Sequence, residues 1–335
     1  MKNLQKRLVA TISVFFLFTC FSAGLVAAEG TVKYRLKWLK NVSVAGALYA
    51  ESHQLFARAG LDVEVKAGGP ERDAIREIEL GKADFGTASA DQVLRARAKG
   101  SPVVVIAQLF QVNPLQWMYR PEDTTINSLA DLKGKTIGVT FGGNDETIMR
   151  TLLARADLAE SDVQLFSVRY DYTPFYRRQV ALWPVYRNAQ GPIIKKQLAA
   201  EGEQAVFFNP ADFGVSFVAN SVVTHERTLR ENPQLVERFL SNLLSGWEEA
   251  MNPENEAETL RILGQFDPDT AADVQKEQLQ ITRRLVKPQA DMAIGRIDRK
   301  SWTQTLEIMQ AQQLLPTDLD LGPVLPALDL VTGEQ

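Results

Sequence analysis

From Lys33 to Asn220, short apolar runs take turns with segments whose apolar residues recur every three or four positions. Tyr34, Leu36 and Trp38 alternate with charged neighbours, as a strand with one buried face does, and residues 44–58 then carry a helical pattern ended by Gly60. The same alternation predicts a strand at 61–65, a helix at 71–80, a strand at 83–88 and a helix at 90–98. Residues 103–110 (VVVIAQLF) are apolar throughout, the pattern of a strand covered on both faces in a parallel sheet. After a polar connector at 121–128, a second series begins. It reads as strands at 135–141, 163–168, 180–187 and 204–208, with helices at 145–156, 173–179 and 192–200. Beyond Asn220 the pattern becomes mostly helical, most clearly at 233–251 and 269–285.

Strand–helix alternation of this kind implies α/β sheets with right-handed crossovers. Two such series and a helical tail predict two α/β lobes, lobe 1 being residues 29–120 with 217–335 and lobe 2 residues 121–216. The chain would then cross between them near 118–124 and 212–220, leaving a ligand cleft where strands of both lobes end.

The N-terminus changes the picture of where such a protein works. Lys2, Lys6 and Arg7 precede an uncharged apolar run from Leu8 to Ala28, and Val26-Ala27-Ala28 offers small residues before Glu29. This is the pattern of a secretory signal peptide cut after Ala28, which places the mature protein in the periplasm. A run of about 20 apolar residues is also long enough to remain as an anchor. Lipidation at Cys20 is the third reading, poorly served by the preceding Phe18-Thr19. Cleavage removes the single cysteine, which excludes a disulfide scaffold. It also removes three positive and no negative charges from a chain of net charge −4, so no basic footprint for nucleic acid remains.

Candidate chemistry gathers at strand ends. Trp38 with Asn41 and Ser43 combines a flat apolar face with directional hydrogen bonds, although core packing and N-capping explain the same residues. Ser89, in Thr87-Ala88-Ser89-Ala90-Asp91, suits a ligand contact or a cap. Gly142-Gly143-Asn144-Asp145 joins a strand to a helix and turns backbone N–H groups toward the cleft. Asp145 and Glu146 stand where a bare anion would sit, so they point to a ligand with amine or amide donors at Gly143 and Asn144, or else complement the helix dipole of an ordinary turn capped by Asn144. Downstream of Tyr170-Asp171-Tyr172-Thr173-Pro174-Phe175, the trio Trp183, Tyr186 and Asn188 suits a planar heterocycle and its polar edge, although core packing explains the same aromatics. Neither His53 nor His225 has a second ligand at metal spacing, and no H-E-x-x-H, C-x-x-C or G-x-S-x-G occurs. No catalytic residue, metal or cofactor is therefore expected.

The segments LKWLKNVSVAGALYA, AGLDVEVKAGGP, GKADFGTASADQ, SPVVVIAQLFQ, DLKGKTIGVTFGGNDE and ALWPVYRN resemble, in order, the ABC-transporter solute-binding proteins of the nitrate, sulfonate, taurine and thiamine-pyrimidine-precursor family. The resemblance covers most of residues 33–220. It implies a type II periplasmic-binding-protein fold that closes its lobes on a small-molecule solute. It further implies delivery to an ABC permease and its ATPase by a monomer peripheral to the membrane. Ligand contact is carried onto Trp38, Asn41, Ser89, Gly143, Asn144, Trp183, Tyr186 and Asn188. The aromatic strand end and the GGN loop look closest to the branch for pyrimidine precursors; an oxyanion carrier of the sulfonate or nitrate type is the alternative. A pyrimidine-synthesising enzyme branch is marked by a cysteine-rich motif, which this chain lacks.

Overall fold

The computed structural model describes residues 30–69, 72–169 and 171–326. The N-terminal leader with Cys20, together with Tyr170, lies outside the described residues. Ten strands form three hydrogen-bonded groups. β1 (Val32–Arg35), β2 (Val63–Lys66), β3 (Phe85–Ala88), β4 (Val103–Gln108) and β10 (Ser221–His225) make a five-stranded sheet in the order β2-β1-β3-β10-β4. β5 (Leu115–Tyr119) lies between β8 (Trp183–Tyr186) and β9 (Val206–Phe208), and β6 (Thr136–Val139) pairs with β7 (Gln164–Ser167). The last two groups are joined where Gly138 N–H donates to Leu182 O at 2.8 Å and the Trp117 indole donates to Gly138 O at 2.9 Å. The molecule is thus two α/β halves with a helical C-terminal region.

Two strands escape the hydrophobic pattern. β5 is buried at every position, so it shows no alternation, and it pairs with β8 and β9 rather than with the first sheet. The first passage between sheets therefore falls at residues 109–114, ahead of the expected 118–124. β10 sits inside the stretch expected to be helical and runs antiparallel to both β3 and β4. That corrects the reading of β4 as an inner parallel strand: it ends the sheet. Its outer edge is covered by the C-terminal chain, since Val105 N–H donates to Val324 O and Gln108 N–H to Gly295 O. An edge strand shielded in this way stays buried on all sides and keeps its uniformly apolar sequence.

Helix boundaries differ where the chain turns left-handed. The expected helix at 44–58 divides into Ala45–Ser52 and Leu55–Arg58, because Gln54 adopts φ +54°. The core lies in three clusters. One packs β1 and helix Ala45–Ser52 against helix Pro233–Met251, whose Val236, Phe239, Leu240, Leu243 and Trp247 recur at helical spacing. A second is shared by both halves, with Val103 and Val223 of the first sheet joining Trp117, Ile137 and Phe208 of the second. The third lies behind β8, around Trp183, Phe175 and Ile194.

Helices Ala45–Ser52 and Pro233–Met251 touch at two glycines. A Cβ on Gly246 would stand 2.5 Å from Gly46 O, and one on Gly46 would stand 2.1 Å from the Trp247 ring. Gly246→Ala should therefore cost about 1–3 kcal/mol by forcing the helices apart. Urea denaturation measures this, and an unchanged midpoint would show that the close crossing is dispensable.

Candidate functional site

A cavity of about 350 Å³ opens between the carboxyl ends of strands from both halves, where ligands of open α/β sheets bind. The first half contributes Lys37 and Trp38 just after β1, Asn41 and Ser43 at the following helical turn, and Asn220 just before β10. The second half contributes the loop after β6, the segment after β7, and β8 itself. Six of the eight expected residues line it: Trp38, Asn41, Gly143, Asn144, Trp183 and Tyr186.

Two expected contacts lie elsewhere. Ser89 is buried at the start of helix Ala90–Ala98, where its hydroxyl donates to Asp91 Oδ1 at 2.6 Å and its N–H to the Gln92 side chain at 3.1 Å. Asn188 is fully buried behind the cavity wall. Its Nδ2 donates to Ser43 Oγ at 3.2 Å and to Thr282 Oγ1 at 3.0 Å. The strand's turn into the next helix points this side chain across to the first half, so Asn188 is a strut between halves. Beside it, Gln278 Nε2 donates to Ala189 O at 2.8 Å.

The aromatic residues differ in how they meet the cavity. Trp183 is 1% exposed and packs edge-on to Tyr172 and obliquely to Phe175, so it forms wall more than platform. Tyr186 is half-buried, and its hydroxyl accepts from Lys37 Nζ at 3.2 Å across the two halves. Burial pulls the Lys37 ammonium down. The Tyr186 hydroxyl and the carboxylates of Asp91 and Asp145 outweigh it, leaving the pKa above the ordinary lysine value.

The glycine loop is already occupied by its own chain. Thr140 N–H donates to Asp145 Oδ2 and Gly142 N–H to Glu146 Oε2, each at 2.6 Å, while Gly143 N–H donates to Thr140 O at 2.7 Å. Gly142 supplies the positive φ (+82°) that this tight closure needs. An anion arriving here would meet two carboxylates and few free N–H groups. Asp145 is buried within the wall, and that burial raises its pKa above the ordinary aspartate value, against the opposing pull of the Thr140 N–H.

Sequence reasoning passed over Lys37, Arg169 and Asn220. Lys37 was visible as the charged residue between Leu36 and Trp38. Asn220 was visible as a polar residue between the apolar VSFVA and SVV. The histidines serve structure: His53 stacks on Tyr49 and bonds Glu258 at 3.0 Å, and His225 Nδ1 accepts from Arg227 N–H. Among the described residues, no group of three or more His, Cys, Asp or Glu is placed to hold a metal ion. No described helix is long and apolar enough to cross a membrane.

Comparison with known proteins gives concordant findings. The family model described as NMT1/THI5 like matches residues 41–257. The formylaminopyrimidine-binding protein of Halalkalibacterium halodurans is 25% identical over 312 residues, covering 91% of this chain and 92% of that protein. The riboflavin-binding protein RibY of Chloroflexus aurantiacus is 27% identical over 308 residues, 87% of this chain and 83% of its own. Among solved structures, the periplasmic aliphatic sulphonate binding protein SsuA from Escherichia coli superposes with a TM-score of 0.71 at 16% identity, covering 92% of this chain and 95% of that one. At that identity the likeness speaks for the fold, and the expected bilobal type II periplasmic-binding-protein architecture is the one the chain has.

The raised pKa of Asp145 has a measurable consequence. The fold favours the protonated carboxyl, so this residue's contribution is largest below the ordinary aspartate range near 4 and is lost as pH rises through the raised value. Asp145→Asn keeps an acceptor for Thr140 N–H and removes the titration. Urea melts from pH 3.5 to 7.5 should show the stability difference moving in the variant's favour as pH rises. A difference independent of pH would mean that burial does not raise the Asp145 pKa.

Proposed function

The chain belongs to the NMT1/THI5-like family, and on that premise we propose that it is the solute-binding component of an ABC importer, capturing a small planar heteroaromatic nutrient of the thiamine-pyrimidine-precursor kind. The observation that carries this reading is the cavity wall itself. Trp38 comes from the first half and Trp183 and Tyr186 from the second, and the buried Asp145 belongs to the same lining. Aromatic faces hold a flat ring, and a carboxyl accepts from ring amines or amides. The two relatives above are binding proteins by name, one for a pyrimidine and one for a flavin. Both ligands are planar heterocycles.

We divide the molecule into lobes along its sheets, one built on β1–β4 with β10 and the helical C-terminal region, the other on β5–β9. Solute touching both lobes stabilises their closed arrangement, and only that differential affinity drives closure. The closed form is what a membrane permease and its ATPase would receive. We place this exchange in the periplasm and assign export to residues 1–28. The protein is read as a monomeric carrier, not as an enzyme. The two relatives above are named for binding, and no nucleophile–base motif occurs in the sequence.

An oxyanion carrier is the second reading, favoured by Lys37 and Arg169 in the wall and opposed by the occupied N–H groups of the glycine loop. A thermal-shift panel of aminopyrimidines, riboflavin, alkanesulfonates and nitrate separates the two. Ligand at 100 times its Kd adds about 2.7 kcal/mol of stability. Stabilisation by sulfonates alone would overturn the heteroaromatic reading. Trp38→Ala should weaken binding of the active ring compound by about 1–3 kcal/mol through lost stacking. Trp183→Ala should chiefly lower the stability of the empty protein, by about 3–5 kcal/mol, because its ring is core. Calorimetric titration and urea melts of both variants check this contrast, and the reverse pattern would exchange the roles of the two tryptophans.

A further inference from the structure

One cavity residue has a buried polar group that the protein leaves unanswered. Asn220 is 3% exposed and lines the cavity, and its side-chain oxygen has no hydrogen-bond partner among the described residues. Burying an amide oxygen without a partner is costly, and such groups are rare unless something absent from the protein supplies the donor. The backbone around it is firmly fixed. Asn220 O accepts from Leu109 N–H at 2.9 Å and from Phe110 N–H at 3.2 Å. The next residue, Ser221, is in register with both Ala88 of β3 and Gln108 of β4. Both passages of the chain between the sheets thus meet at this residue.

We propose that Asn220 is the specificity-determining residue of the cavity, reading the hydrogen-bonding edge of the solute at the point where the two passages are tied together. A carboxamide holds an acceptor and donors in one plane. Its full complement is an edge carrying a donor beside an acceptor, such as an exocyclic amine next to a ring nitrogen, or an imide N–H next to a carbonyl. A sulfonate or nitrate offers acceptors alone and leaves the Asn220 oxygen unpaired. Selection against such anions follows from that unpaired oxygen, because a site built to pair a polar group rejects ligands that cannot do so. This assignment rests on the heteroaromatic reading above and names the edge chemistry that the ring must carry.

The test uses the full mature protein with 4-amino-2-methylpyrimidine, riboflavin and ethanesulfonate as probes, titrated calorimetrically. Asn220→Leu should lower affinity for whichever ring compound the wild type binds by about tenfold or more. The melting temperature of the empty Asn220→Leu protein should stay level or rise, because the unpaired amide is gone. Asn220→Asp, close in size, keeps the acceptor and loses the donors, and should also lose about tenfold. Wild-type affinity in both variants would overturn the role of Asn220. So would an empty Asn220→Leu protein that melts well below the wild type, since that would reveal an intramolecular partner for the amide. A wild type that binds ethanesulfonate and neither ring compound would instead overturn the heteroaromatic reading itself.

Discussion

The two passages of the chain between the halves are tied together at one seam, where Asn220 O accepts the N–H groups of both Leu109 and Phe110. The chain leaves the first sheet at the end of β4 and returns to it at the start of β10, so both passages run through these few residues. Because β10 is antiparallel to its two neighbours, its first residue lies beside the last residues of β3 and β4. The return point therefore opens at the cavity.

Around the seam, polar groups divide into those that hold the halves together and those left for something else. The Asn188 amide nitrogen donates to Ser43 and Thr282 across the divide, and Lys37 donates to the Tyr186 hydroxyl. The glycine loop closes on itself through Asp145 and Glu146. These side chains look like ligand groups in a sequence, and most of their hydrogen bonds are spent within the protein. What remains available is a set of aromatic faces and the Asn220 amide. That combination suits a flat ring with N–H donors better than a compact anion.

Much of the fold was legible because strands and helices differ in period. β3 and β6 and helices Ala90–Ala98 and Pro233–Met251 fall where the apolar spacing puts them, whereas β1 ends at Arg35, ahead of the expected Leu36 and Trp38. β5 and β10 were not legible. Both are buried at nearly every position, so neither shows a period. Strand direction was equally hidden, because a strand buried on both faces is apolar throughout whether its neighbours run parallel or antiparallel. At the site, residues at strand ends were found readily, and six of eight do line the cavity. Asn188 and Asn220 could not be told apart in sequence. Which asparagine faces the cavity depends on how the chain rotates as it leaves a strand, and that is set by packing against the other half.

The central claim is that solute closes the two halves upon each other. Since the only cysteine is Cys20, a form lacking the leader accepts two unique spin labels. Exposed Arg76 in the first half and exposed Lys133 in the second are suitable positions. Pulsed electron–electron resonance would then give the distance between labels with and without a saturating ring ligand. The account predicts a broad distribution in the empty protein that shifts and narrows on binding. An identical distribution in the presence of demonstrably bound ligand would contradict it.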